Sequence, residues 1–336
     1  MVRRPEIVAE LSGNHDGSLK RAFRLMDLAV ANGADAIKIQ TYTEDSLTLD
    51  STRPEFMITG GLWKGQTLYD LYKMAKTPRE WMKPMFEYAS DKGISLFSSP
   101  FSLEDVDVLE KAGCPRYKIA SFELNYPELI AYCARTGKPL VISTGLATLE
   151  EVDLAVSTAR DNGCTDLTLL HCESRYPADP RTFNLNTIPF FKERYGCKAG
   201  LSDHALGDAL DVAAAVLGAD MIEKHFTDDR SLGSVDAAFS MEPQDLQALR
   251  RDTENAVLSL GTKEIRLMPE DIENRKGRRS AYLVRPLKKG EVLSLDHIRI
   301  VRPGLGMEPY LISEVLGKRA LTDLDAPQPL ERRFFS

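Results

Sequence analysis

SLKRAFRLMDLAVANGADAIKIQTY, residues 18–42, holds the pattern that decides the fold. A serine suited to an N-cap opens an amphipathic helical stretch that Gly33 stops, and AIKIQTY (36–42) then reads as a short buried strand. The same unit recurs on both sides, from Glu6 to Gly261. Further strands are expected at EIVAEL (6–11), SLFSSP (95–100), RYKIAS (116–121), LVISTG (140–145), LTLLHC (167–172), KAGLSDH (198–204) and MIEKHFT (221–227). Helical patterns such as TLEEVDLAVSTARDNG (148–163) and GDALDVAAAVLGA (207–219) lie between them. Strand and helix alternate through eight units in about 260 residues, which fits a closed (β/α)8 barrel. A doubly wound open sheet is the competing arrangement, but no GxGxxG follows the first strand, so dinucleotide binding lacks its marker.

The rhythm has two interruptions. After the second strand the chain runs from Thr43 to Lys76 before its helix, an insertion expected to form a lid or wall. After Gly261 a charged stretch leads to short β-like runs with Gly and Pro punctuation. The expected organisation is a barrel over 1–262, a linker over 263–277 and a small β-rich domain over 278–336.

Composition sets the outer limits. The 336 residues are 43% hydrophobic and 28% charged, enough for a large core and a second small domain. A net charge of -7 argues against a general nucleic-acid binder, so any bound anion needs a local site. Five scattered cysteines without CxxC spacing read as reduced thiols and a cytoplasmic setting. The opening MVRRPEIVAEL reads as neither signal peptide nor anchor, and no later run approaches the roughly 18 apolar residues of a membrane span.

Chemistry in a barrel of this kind belongs at the C-terminal strand ends, and here those ends are polar. They carry Glu10 with Asn14 and His15, then Lys38 and Gln40, Ser98 and Ser99, Lys118 and Ser121, and Ser143 and Thr144. The last three carry His171 with Glu173 and Ser174, Ser202 with Asp203 and His204, and Glu223 with Lys224 and His225. Unpaired buried lysines are costly, so Lys38, Lys118 and Lys224 are expected to converge on an anion, with serine hydroxyls as directed donors. A single such lysine would more often be an ion-pair partner. His204 and His225 end neighbouring strands and are candidates for a divalent metal, with Asp203 and Glu223 in reach as outer partners. The plain alternative is a pair of hydrogen-bonded core histidines, and His171 or His15 are alternative ligands. Glu10 either neutralises the lysines or transfers protons.

AELSGNHDGS, ADAIKIQTY, FSSPF, YKIASFE, STGLAT, GLSDH, IEKHFT, VDAAFSMEP and the later RPGLG together resemble the sialic acid (nonulosonate) synthase family over the whole chain. The inserted LWKGQTLYDLYKMAKTP (62–78) resembles the branch of that family acting on pseudaminate precursors. The resemblance implies a (β/α)8 TIM barrel followed by a small antifreeze-like (SAF) domain. It also implies a domain-swapped homodimer in which one copy's small domain closes the other's barrel. The reaction implied is condensation of phosphoenolpyruvate with an acetamido sugar, releasing phosphate. By motif position, Lys38, Lys118, Ser121, Ser143, Ser174 and Ser202 would hold phosphoenolpyruvate. Gln40, Tyr176, Asp236 and Arg302 would contact the sugar, Glu10 and Glu223 would do acid or base work, and His204 and His225 would bind a divalent metal, usually Mn2+, with Mg2+ or Co2+ as alternatives. Neither nucleic acid nor membrane is implied as a partner. Phe56, Met57, Leu62, Trp63, Leu68 and Tyr69 of the insertion are expected to wall the sugar pocket or to pack the lid.

Overall fold

The computed structural model describes residues 4–336. Met1–Arg3, part of the opening segment read above for a leader, lie outside them. The chain divides into two compact units, one ending at Gly261 and one spanning Thr262–Ser336.

In the first unit eight parallel strands close a barrel in sequence order. They are β1 (Glu6–Glu10), β2 (Ala36–Thr41), β3 (Ser95–Pro100), β4 (Tyr117–Ile119), β5 (Leu140–Ser143), β6 (Leu167–Cys172), β7 (Lys198–Asp203) and β8 (Met221–His225). Most end a residue or more before the apolar runs end, because their last polar residues curl into the rim loops. Around them stand α1 (Leu19–Ala31), α2 (Glu44–Leu47), α3 (Leu68–Ala75), α4 (Met82–Lys92), α5 (Leu103–Ala112), α6 (Pro127–Arg135), α7 (Leu149–Asp161), α8 (Thr187–Tyr195), α9 (Ala209–Val216) and α10 (Pro243–Ser259). The quoted stretch behaves as its pattern requires. Ser18 accepts from the Arg21 N–H at the start of α1, and α1 buries Ala22, Leu25, Met26 and Ala29. Burying four such side chains supplies several kcal/mol at roughly 25 cal/mol per Å2. The insertion is not one open loop but carries α2 and α3, each capped by a threonine, Thr43 and Thr67.

Register fixes what faces what. Glu10 is aligned with Lys38 on one side and with His225 on the other, and Ser202 with Glu223. Successive strand residues point to opposite faces, so Glu223 and His225 share one face of β8 and Lys224 takes the other.

The second unit holds α11 (Asp271–Asn274) and a three-stranded antiparallel sheet, with β9 (Ser280–Leu283) between β10 (Ile298–Val301) and β11 (Gln328–Pro329). Its separate core is Ala281, Leu283, Leu287, Leu293, Val315, Ala320, Leu324, Leu330 and Phe335. The segment expected as a linker is tied into this unit: Gly304 N–H donates to the Lys276 carbonyl at 2.8 Å, and Arg275 pairs with Glu308. The RPGLG loop, 302–306, is anchored by Ser280, whose hydroxyl donates to the Pro303 carbonyl and accepts from the Gly306 N–H, each at 2.9 Å. A Cβ on Gly306 would lie 2.2 Å from the Ala281 carbonyl oxygen, so this close approach requires glycine. All five cysteines are free thiols. Among the described residues no helix is long and apolar enough to cross a membrane.

Candidate active site

Inside the barrel four charges alternate. Glu10 pairs with Lys38, the Lys38 ammonium stands 3.7 Å from Glu223, and Glu223 Oε1 accepts from Lys118 at 2.5 Å. All four side chains are buried. Each desolvated ion therefore leans on the next, the condition under which buried charge is tolerable. The two glutamates are driven apart in acidity. Burial raises the Glu10 pKa against the opposing pull of Lys38. Burial acts the same way on Glu223, but Lys118 and Lys38 together outweigh it and leave its pKa lowered. Glu10 is thus the carboxyl prepared to carry a proton, and Glu223 the standing counter-ion.

The serines line the side nearest Lys118. Its ammonium is 3.4 Å from the Ser202 hydroxyl, and Ser143, buried at the end of β5, has a hydroxyl without a partner. Ser121 and Ser174 converge on Gly145. The Gly145 N–H donates to Ser121 Oγ at 3.1 Å, and a Cβ there would lie 2.8 Å from Ser121 Oγ and 2.3 Å from Ser174 Oγ. The missing side chain leaves a small polar cradle suited to an oxyanion.

The imidazoles of His204 and His225 stand 5.4 Å apart, centroid to centroid. His204 Nδ1 donates to the Glu173 carbonyl at 2.7 Å, so Nε2 is the nitrogen left to ligate once it gives up its proton; burial lowers the ring's pKa, but the neighbouring Cys172 outweighs this and leaves it raised. His225 Nδ1 is buried without a hydrogen-bond partner, 3.6 Å from Asp236. Burial, and then the neighbouring His204, push the His225 pKa well down, so it is neutral at pH 7 and able to ligate. Among the described residues no group of three or more His, Cys, Asp or Glu has metal-holding spacing. The two imidazoles are nonetheless donors of the type a divalent ion takes, and an ion held by them alone would keep its remaining positions for water and substrate oxygen.

Of the residues expected to contact a sugar, Gln40 is half-buried near the end of β2, aligned with Ser99. The Tyr176 ring lies tilted against His204, centroids 4.4 Å apart, and against Phe239 at 5.2 Å. Asp236 is held by Asn14, whose side-chain oxygen accepts from the Asp236 N–H at 3.3 Å and whose amide donates to the Phe226 carbonyl. Arg302 is exposed in the loop after β10, in the second unit.

Three sequence expectations are corrected. Lys224 does not join the other lysines: strand alternation turns it outward, where it meets Asp203 at 2.6 Å and Asp211 at 3.3 Å. Asp203 is accordingly its partner and not an outer partner of the histidines. His171 contacts the Phe183 carbonyl on the barrel's outer side, and His15 bonds Thr77 at 3.1 Å, so neither joins His204. Of the insertion residues proposed as a wall, Trp63 reaches the mouth, donating to the Val235 carbonyl at 3.2 Å and lying 6.0 Å from Tyr176. Leu62 is exposed and Tyr69 turns to Asp45.

Three residues escaped the sequence reading. Cys172 lies 3.9 Å from His204 Nδ1 and 4.0 Å from Ser174 Oγ. Burial pushes its thiol up, but His204 and Lys118 outweigh this and leave its pKa below the ordinary value. Tyr42 is buried in edge contact with Tyr72 and Phe101. Glu123 has a buried Oε2 without a partner, and burial pushes its pKa up to about 7. Cys172 was readable, since it shares a strand face with Leu170 and directly precedes the rim; the other two sit in loops without a periodic signal.

Known proteins resemble this chain over nearly its whole length. A family model described as the NeuB family matches residues 25–265, and one described as the SAF domain matches 278–331. A pseudaminic acid synthase of Campylobacter jejuni (strain 81-176) is 42% identical, over 98% of this chain and 96% of its own. One from Helicobacter pylori is 41% identical, over 98% and 97%. Among solved structures, the N-acetylneuraminic acid synthetase of Leptospira borgpetersenii in complex with citrate superposes with a TM-score of 0.71 at 30% identity, over 81% of this chain and 90% of that one.

Proposed function

The chain belongs to the NeuB family and carries a C-terminal SAF domain, and on that footing we propose that it is a pseudaminic acid synthase. It condenses phosphoenolpyruvate with 2,4-diacetamido-2,4,6-trideoxy-L-altrose and water, giving pseudaminic acid and phosphate. The observation that carries the chemistry is the pair of buried lysines, Lys38 and Lys118, each matched to glutamate beside a cradle of hydroxyls.

Phosphoenolpyruvate sits with its anionic groups on Lys38 and Lys118, and on the hydroxyls of Ser121, Ser143, Ser174 and Ser202. Its entry displaces the lysines' contacts with Glu223. Gln40, Tyr176 and Asp236 orient the open-chain sugar, and Arg302 of a second copy reaches its acyl group in a domain-swapped homodimer. Mn2+ at His204 and His225, when bound, supplies a Lewis acid that polarises the sugar aldehyde. Held on one rigid rim, carbon 3 of phosphoenolpyruvate attacks the aldehyde carbon, the new C–C bond forms, and positive charge develops at carbon 2. Water adds there on the side of Glu10, which takes its proton. The tetrahedral centre then breaks its C–O bond to phosphate, its own hydroxyl proton leaving with the phosphate as the ketone forms, and the proton taken up by Glu10 passes to the alkoxide left by the aldehyde, completing the new hydroxyl. Because phosphoenolpyruvate is a cytoplasmic metabolite and the thiols are unpaired, we place the enzyme in the cytoplasm.

The test is phosphate release with phosphoenolpyruvate and Mn2+ over a sugar panel: the altrose above, N-acetylmannosamine and the legionaminate-pathway isomer. The altrose is expected to have a kcat/KM at least about tenfold above N-acetylmannosamine, the scale of a methyl contact plus one unpaired hydroxyl. Equal or better turnover of N-acetylmannosamine overturns the choice of sugar, and no release with any sugar overturns the reaction.

A further inference from the structure

Lys224 lies apart from Lys38 and Lys118, and all three of its ammonium N–H groups are used. Its ammonium has three N–H groups. They meet the Asp203 carboxylate at 2.6 Å, the Ala205 carbonyl at 2.9 Å and the Gly207 carbonyl at 2.8 Å. Asp211, buried on α9, approaches from behind at 3.3 Å. Lys224 is 2% exposed, Asp203 2% and Asp211 0%. No donor remains for a substrate, so the cluster needs another reason to be there.

That reason is visible in the order of residues. Asp203 and Ala205 flank His204, and both are bonded to Lys224; Lys224 itself immediately precedes His225. Asp203 closes the grip by accepting the Ala205 N–H at 2.7 Å, and Asp203 is aligned with Lys224 in the strand register. The backbone on either side of one imidazole is therefore fastened to the strand that carries the other. Beyond β7 no ladder partner holds residues 204–207 to β8, so the ammonium substitutes for the hydrogen bonds that the sheet has stopped supplying.

We propose that Lys224 is a positioning residue that sets the separation of the His204 and His225 imidazoles from the outer face of the barrel. The inference rests on the reading of those histidines as the metal ligands. Small errors in ligand placement weaken a metal site strongly, and removing a partner of a ligand typically lowers affinity by about 10- to 100-fold.

The experiment measures Mn2+ binding to chelator-stripped protein from the electron paramagnetic resonance signal of the free ion, in wild type and Lys224→Met, well below the melting temperature of each. The variant is expected to bind Mn2+ at least about tenfold more weakly. Its kcat should recover when Mn2+ is raised, with the KM for phosphoenolpyruvate little changed. A variant that melts earlier but binds Mn2+ with wild-type affinity shows Lys224 to be merely structural and overturns the proposal. Should Lys224→Met not fold, Asp203→Asn decides in the same assay: it keeps an acceptor for the Ala205 N–H but weakens the grip on Lys224, and unchanged Mn2+ affinity there overturns the proposal too. Wild type that binds no Mn2+ overturns the ligand assignment itself, an outcome distinct from equal binding by wild type and variant.

Discussion

Lys118 Nζ and Glu223 Oε1 meet at 2.5 Å across the barrel, one from β4 and the other from the opposite strand, β8. On the proposed reading, the contact places an internal carboxylate where the substrate's phosphate or carboxylate would go. Glu223→Gln leaves Lys118 and Lys38 short of counter-charge, a change that costs about 3 kcal/mol for a buried pair. The melting temperature without ligand is expected to fall by roughly 5 to 10 °C. Phosphoenolpyruvate should then stabilise the variant more than it stabilises wild type, because the ligand restores the missing charge. Calorimetry with and without phosphoenolpyruvate checks both; an equal ligand-induced shift in the two proteins would count against Glu223 as the competitor.

Gly145 separates binding from stability. Gly145→Ala pushes a methyl group against the hydroxyls of Ser121 and Ser174, which can rotate away at small cost in folding. Rotated, they no longer point into the cradle. The KM for phosphoenolpyruvate is expected to rise about tenfold or more, one or two lost hydrogen bonds to a charged group, while the melting temperature changes little. Steady-state kinetics beside a thermal melt distinguish this from general disruption, in which both quantities would change together.

Glu123 makes stability depend on pH. Its pKa is raised by burial to about 7 in the fold, against the 4.5 of an ordinary glutamate. Between these values the native state holds more protons than the unfolded chain, so this group's contribution declines as pH rises from about 4.5 to 7. Glu123→Gln abolishes that decline. The variant's stability relative to wild type should increase by about 1 to 3 kcal/mol across the window and level off above it. Denaturant titrations at pH 5, 6, 7 and 8 give the slope, and a flat difference across them refutes the assignment.

Arg302 is predicted to serve the site of a second copy. An equal mixture of Arg302→Ala and Glu10→Ala chains, after subunit exchange, should regain roughly a quarter of wild-type activity. Half the dimers are then hybrids, and each hybrid has one intact composite site. If Arg302 acted within its own chain, no hybrid would contain an intact site and the mixture would stay inactive.

The barrel was legible because it is written in two periods, and Ser18 to Tyr42 displays both. The site was legible where a strand end fixes a side chain: Glu10, Lys38, Lys118, Ser202, His204, Glu223 and His225 all meet inside the barrel. Lys224 was misplaced for want of one parity argument. If Glu223 and His225 face inward, the residue between them cannot. Tyr42 and Glu123 obey no such alternation, since Tyr42 lies just past the end of β2 and Glu123 in the helical turn Ser121–Glu123 after β4, whose course depends on contacts distant in sequence. The insertion shows the same limit: its composition suggested an apolar wall, but only its fold distinguishes Trp63 at the mouth from Leu62 in solvent.

The alternating row from Glu10 through Lys38 and Glu223 to Lys118 has a consequence for how the enzyme loads. With all four groups ionised the row itself is electroneutral, so a trianion entering alone would leave a large net negative charge in a low-dielectric space. Compensation has to arrive with it, as protons drawn onto Glu10 or as a divalent cation. On the proposed reading, phosphoenolpyruvate binding should be linked to proton uptake when metal is scarce and released from that linkage when metal is abundant. The heat of binding should then vary with the ionisation enthalpy of the buffer in the first condition and much less in the second, which makes the resting interior of this barrel a gate on the order in which its ligands assemble.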